Sequence, residues 1–142
     1  MNHEYLTPMS DKTLEDLAES FALFSDWEER YRYLIDLGGR LPPMDDGLKV
    51  EEHLVRGCTS KVWLVASIQD GVFHFTASSD AQIVRGLVYL LYVAYQDKPV
   101  EYVRAYDVEA AFERLGLHQH LSPNRRNGFF AMVEKIRKLA GP

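Results

Sequence analysis

The chain has 142 residues, 46% hydrophobic and 26% charged, the size and balance of one globular domain rather than of a disordered chain. A formal net charge of −5 leaves no broad basic face of the kind that nucleic acid or an anionic membrane requires. One cysteine, Cys58, excludes an internal disulfide, so stability must come from packing.

Residues 1–10 read as a loose polar tail within a single domain spanning 1–142. They lack the basic start and apolar core of a secretory signal, so a cytoplasmic protein is expected. From Asp11, Leu14, Leu17, Ala18, Phe21 and Ala22 recur at the three-and-four spacing of one helix face. Asp26 can cap a second helix carrying Trp27, Tyr31, Leu34 and Ile35, with Gly38 and Gly39 expected to end it in the left-handed conformation. Prolines, aspartates and a glycine make residues 41–48 a loop.

The period then changes. Residues 52–56 read as a short strand leading into Gly57. Val62, Leu64, Ala66 and Ile68 alternate with Lys61, Trp63, Val65 and Ser67, a strand covered on both faces. Asp70-Gly71 marks a hairpin, and Phe73, Phe75 and Ala77 share one face of the next strand. Ser79 or Asp80 is expected to cap a long helix through Tyr95, stopped by Asp97-Lys98-Pro99. Its apolar run, residues 83–95, includes Arg85 and is shorter than the about 20 residues a bilayer demands. Asp107 can cap a helix over residues 108–115 closed by Gly116, and Ser122-Pro123 opens a last helix to about Leu139. Two helices, three strands, then helices give an α+β domain: a small three-stranded antiparallel sheet with helices packed on one face.

Cys58 falls in a glycine-hinged connection between two expected strands, with Arg56 and Lys61 close by in sequence. Turn tips are exposed, and nearby cations favour the thiolate, the nucleophile of sulfur exchange. Against this, a lone cysteine commonly serves as a small buried hydrophobe. The residues alone leave both readings open.

Val55-Arg56-Gly57-Cys58-Thr59-Ser60-Lys61-Val62-Trp63 resembles the V-x-G-C-x-S-x-V-W signature of the SufE-like sulfur acceptors. Ser79-Asp80-Ala81-Gln82-Ile83-Val84-Arg85-Gly86 resembles that family's S-D-A-x-I-V-x-G segment. Leu117, His120-Leu121-Ser122-Pro123-Asn124-Arg125 and Gly128 resemble its L-x-x-H-L-[ST]-P-x-R-x-x-G segment, and Trp27-Glu28-Glu29-Arg30-Tyr31 and Leu37-Gly38 also fit. The resemblance implies a SufE/IscU-like fold and a relay. A pyridoxal-phosphate cysteine desulfurase holds a persulfide, Cys58 takes its outer sulfur, and an iron–sulfur scaffold receives it. No cofactor or metal of its own is implied, and neither a nucleic acid nor a membrane partner. A scaffold role for this chain fails because clusters usually demand four thiolates. Arg56, Gly57, Thr59 and Ser60 would support the cysteine loop, with Arg125, His120 and Asp80 as candidate site or partner contacts. Asp80 reads more simply as a helix-start residue. A metal pair of His118 and His120 with Cys58 lacks a clear ligand cluster. Two other functions stay in view: an independent thiol enzyme using His120 as base, and an interaction module in which Cys58 is incidental. Apolar neighbours such as Val55 or Val62 are expected to shield the resting thiol.

Overall fold

The computed structural model describes residues 13–141, so the expected tail at residues 1–10 lies outside it. Helix α1 (Leu14–Ala22) starts where Thr13 Oγ1 accepts from the Asp16 amide at 3.0 Å, and it buries Leu14, Leu17 and Phe21. Helix α2 (Trp27–Gly38) starts at Asp26 as the sequence indicates, the carboxylate accepting from the Glu29 amide at 2.9 Å.

The glycines at its end do something other than expected. Gly38 is helical and Gly39 keeps a right-handed φ of −70°. A β-carbon on Gly38 would lie 2.8 Å from the Gly86 nitrogen, and one on Gly86 only 2.3 Å from the Leu34 carbonyl oxygen. The residues are small because α2 and α3 (Gln82–Tyr95) cross with their backbones in contact.

Strands β1 (Val62–Gln69) and β2 (Val72–Ser79) pair antiparallel along their whole length, from Val62↔Ser79 to Gln69↔Val72. Asp70 and Gly71 join them with φ of 54° and 77°, the two positive values of a type I′ hairpin turn. The sheet has three strands in the order β1-β2-β3, as expected, but the third is Lys98–Pro99, paired with Val72 and Phe73. The Gln96 side chain fastens this segment to β2: its Oε1 accepts from the Phe75 amide at 2.8 Å and its Nε2 donates to the Phe75 carbonyl at 2.9 Å. The strand expected at residues 52–56 is absent. Glu51–His53 curls into a single 3₁₀ turn, and only Leu54 makes an isolated bridge to Trp63. Its polar start offers the sheet no alternating apolar face.

Helices lie on one face of the sheet, with α3 against β2 and the last helix against β1. Val62 and Leu64 are buried, whereas Ile68 is 46% exposed near the hairpin. β1 is therefore not covered on both faces; the helical layer runs out toward the turn. Phe73, Phe75 and Ala77 face the core as expected. The remaining helices are α4 (Val100–Ala105), α5 (Val108–Arg114), α6 (Leu117–His120) and α7 (Pro123–Leu139). Asp107 caps α5, and Ser122 caps α7 with proline at the first helical position. Fully buried Phe21, Leu34, Phe73, Leu90, Phe112 and Phe129 tie these layers together, each side chain contributing about 1.5–3 kcal/mol by burial. Among the described residues no helix is long and apolar enough to cross a membrane.

Candidate functional site

Cys58 sits on a loop whose two limbs are tied at the base. The Val55 amide donates to the Val62 carbonyl at 2.8 Å, beside the Leu54–Trp63 bridge. Ser79 and Asp80 do not cap α3: the cap position is Ala81, which has no side-chain capping bond, although its amide donates to Ser79 Oγ at 3.2 Å. They hold the loop instead. Ser79 Oγ donates to the Lys61 carbonyl at 2.7 Å, and Asp80 Oδ1 accepts from the Lys61 amide at 3.1 Å. Asp80 thus anchors the loop's exit rather than lining the site. At the tip, Gly57 takes φ +93°, a left-handed value that L side chains rarely adopt.

The tip lies against α7. Cys58 Sγ donates to the Gly128 carbonyl at 3.5 Å, and the thiol is half-buried. It lines a cavity of about 350 Å³. Thr59, Ser60, Ser122, Asn124 and Arg125 supply polar wall; Val84, Leu87, Phe129 and Met132 supply apolar wall. The α3 side of that wall, Val84 and Leu87, flanks Gly86, so the glycine crossing with α2 sets where it stands.

Burial pushes the Cys58 thiol above its ordinary pKa, and no charge offsets it. The sequence expectation of a thiolate favoured by Arg56 and Lys61 is overturned. Both side chains are exposed and neither lines the cavity; Arg56 lines a separate groove with Lys135 and Lys138. The expected shielding by Val55 or Val62 also differs in detail, because the lid over the sulfur comes from α7 and α3.

Of the residues singled out from the sequence, Cys58, Thr59, Ser60 and Arg125 meet at the cavity. His120 does not. Its ring stacks on Trp27 with centroids 3.9 Å apart, and its carbonyl accepts from the Tyr31 hydroxyl. An imidazole held there offers no base to Cys58, which removes the geometric support for an independent thiol enzyme built on that pair. His118 lies across α7 from the sulfur, edge-on to Phe112. Among the described residues no three His, Cys, Asp or Glu side chains group as metal ligands. The sequence reading gave no role to Asn124, Met132 or the Gly128 carbonyl. Ser122, Arg125, Gly128, Phe129 and Met132 recur at three and four along α7, a stripe that periodicity alone could have found.

The family model described as the Fe-S metabolism associated domain, SufE, matches residues 15–140. The chain belongs to the SufE family. That membership associates it with iron–sulfur metabolism. A SufE-like protein of Rhizobium etli, described as uncharacterized, is 39% identical over 132 residues, covering 90% of this chain and 89% of its own length. Another from Rhizobium meliloti is 37% identical over 132 residues, covering 90% and 94%. The solution structure of a hypothetical protein from Thermus thermophilus superposes with a TM-score of 0.72 at 20% identity, covering 89% of this chain and 92% of its own. That likeness shows a shared fold and says nothing about activity.

Proposed function

We propose that this SufE-family chain is a sulfur acceptor. Its Cys58 takes persulfide sulfur from a pyridoxal-phosphate cysteine desulfurase and passes it on for iron–sulfur cluster assembly. The observation that carries the reading is a single thiol at the tip of a base-anchored loop, lining a cavity with room for more than one sulfur atom.

The chemistry needs no oxidant. The Cys58 thiolate attacks the outer sulfur of the partner's persulfide; a new S–S bond forms, the old one breaks, and its electron pair leaves on the partner's thiolate. The outer sulfur then extends about 2 Å beyond Sγ. The apolar residues Phe129, Met132, Val84 and Leu87 keep stray thiols and water from it, while the Arg125 guanidinium complements a terminal sulfur anion. Because burial disfavours the resting thiolate, the partner draws the loop out before the sulfur reacts. Cys58→Ser tests the whole scheme. Incubated with desulfurase and L-cysteine, the wild-type chain gains sulfur by mass and accelerates turnover, and the variant gains none. Stimulation that survives the substitution makes the chain an interaction module instead.

A further inference from the structure

The loop lies across α7, and the two sides of that helix differ. On one side is the cavity. On the other, a groove of about 280 Å³ runs between the entering limb of the loop, Val55 and Arg56, and Ala131, Glu134, Lys135 and Lys138 of α7. Gly57 touches its floor closely enough that a β-carbon would meet Ala131 Cβ at 3.1 Å. The groove is thus continuous with the cysteine loop.

Its charge is out of keeping with the molecule. The chain carries −5 overall, yet three cations face one carboxylate here. Arg32, Lys49, Arg114 and Arg137 each bond an acidic neighbour. Among the described residues Lys61, Lys98 and Arg125 also form no ion pair, but Arg56, Lys135 and Lys138 are unpaired and gathered along one groove. The C-terminal dipole of α7 accounts for a cation at Lys138, but not for Arg56, which comes from a different element. Cations gathered without partners beside a thiol that must meet another protein's sulfur are free to receive that protein's charge.

We propose that this groove docks an acidic segment of the desulfurase next to its persulfide-bearing cysteine, setting affinity and encounter rate without touching the reacting sulfurs. The inference rests on the sulfur-acceptor reading for the identity of the partner. Docking by exposed charges is screened by salt and falls when their sign is reversed, while chemistry at saturation is untouched.

The test uses the full chain and the purified desulfurase, with the dissociation constant measured directly by calorimetry and sulfur loading of Cys58 followed separately by mass. Lys135→Glu with Lys138→Glu is expected to weaken binding about tenfold at low salt and to flatten its salt dependence. Loading at saturating desulfurase stays as in the wild type. Lys135→Gln with Lys138→Gln gives a smaller change of the same sign and guards against loss of fold in the reversed pair. Arg32→Glu with Arg114→Glu, the same charge change outside the groove, leaves the dissociation constant near the wild-type value. Unchanged binding in the groove variants, or equal weakening in the control, overturns the proposal. Charge-dependent binding without any sulfur on wild-type Cys58 upholds the groove and sinks the acceptor reading, so the two failures are told apart.

Discussion

Both ends of β1 are entered or left through a glycine with positive φ, yet the two loops are built for different ends. The Asp70-Gly71 turn reverses the chain in two residues, and a β-carbon on Gly71 would meet nothing within 4 Å. The Cys58 loop spans residues 56–61, is fastened at its base by Val55, Val62, Ser79 and Asp80, and rests its tip on α7. The first is a connector whose shape follows from local backbone preference alone. The second keeps its shape because other elements hold it, and they set Cys58 in a defined place against α7.

Alanine at the two glycines should separate the loops most sharply. Gly71→Ala is expected to cost about 1 kcal/mol, the penalty of a left-handed alanine. Gly57→Ala adds contact with Ala131 and should cost about 2 kcal/mol while slowing sulfur uptake. Denaturant midpoints and loading rates together check this; equal costs and unchanged loading would erase the distinction.

Next in size is Asp80→Ala, which removes the carboxylate accepting from the Lys61 amide. It should lower stability by about 1 kcal/mol and speed alkylation of Cys58 severalfold, as the loop swings more freely. Stability lost with alkylation unchanged would confine Asp80 to a structural role.

The smallest effect is in pH. Alkylation needs the thiolate, and burial raises the folded thiol's pKa, so the rate should rise along a curve displaced to higher pH than that of a free cysteine. The sign also bears on stability. The unfolded thiol ionises first as pH rises, so this group's contribution, full below the unfolded pKa, fades as pH climbs through the folded one. Adding the desulfurase should move the alkylation curve back down. An alkylation curve matching that of free cysteine would mean the cavity does not shield the sulfur.

Much of this was legible in the chain itself, and the exceptions share a cause. Asp26, Asp107 and Ser122-Pro123 announced helix starts because capping is a contact three residues long. Asp70-Gly71 announced the hairpin because the turn chemistry is confined to two positions. The third strand was not visible because Lys98–Pro99 pairs through the Asp97 and Val100 amides, which reach Phe73 and Gly71 far back in the chain, with the Gln96 side chain gripping Phe75 beside them. Arg56 and Lys61 are neighbours of Cys58 in sequence, but what surrounds the sulfur is set by α3 and α7, which arrive from far along the chain. Local sequence therefore singled out Cys58 but not the burial that raises its pKa. Gly38 fits the family pattern, and its purpose is visible only once Gly86 is set against it.

The contact of Gly38 with Gly86 has a consequence of its own. With peptide groups abutting, the crossing has no slack in which a bulkier side chain could be absorbed, and displaced helix axes would carry Val84 and Leu87 with them. A lesion buried there, on the scaffold rather than at the sulfur, should therefore surface first as a wider opening of the Cys58 cavity to solvent.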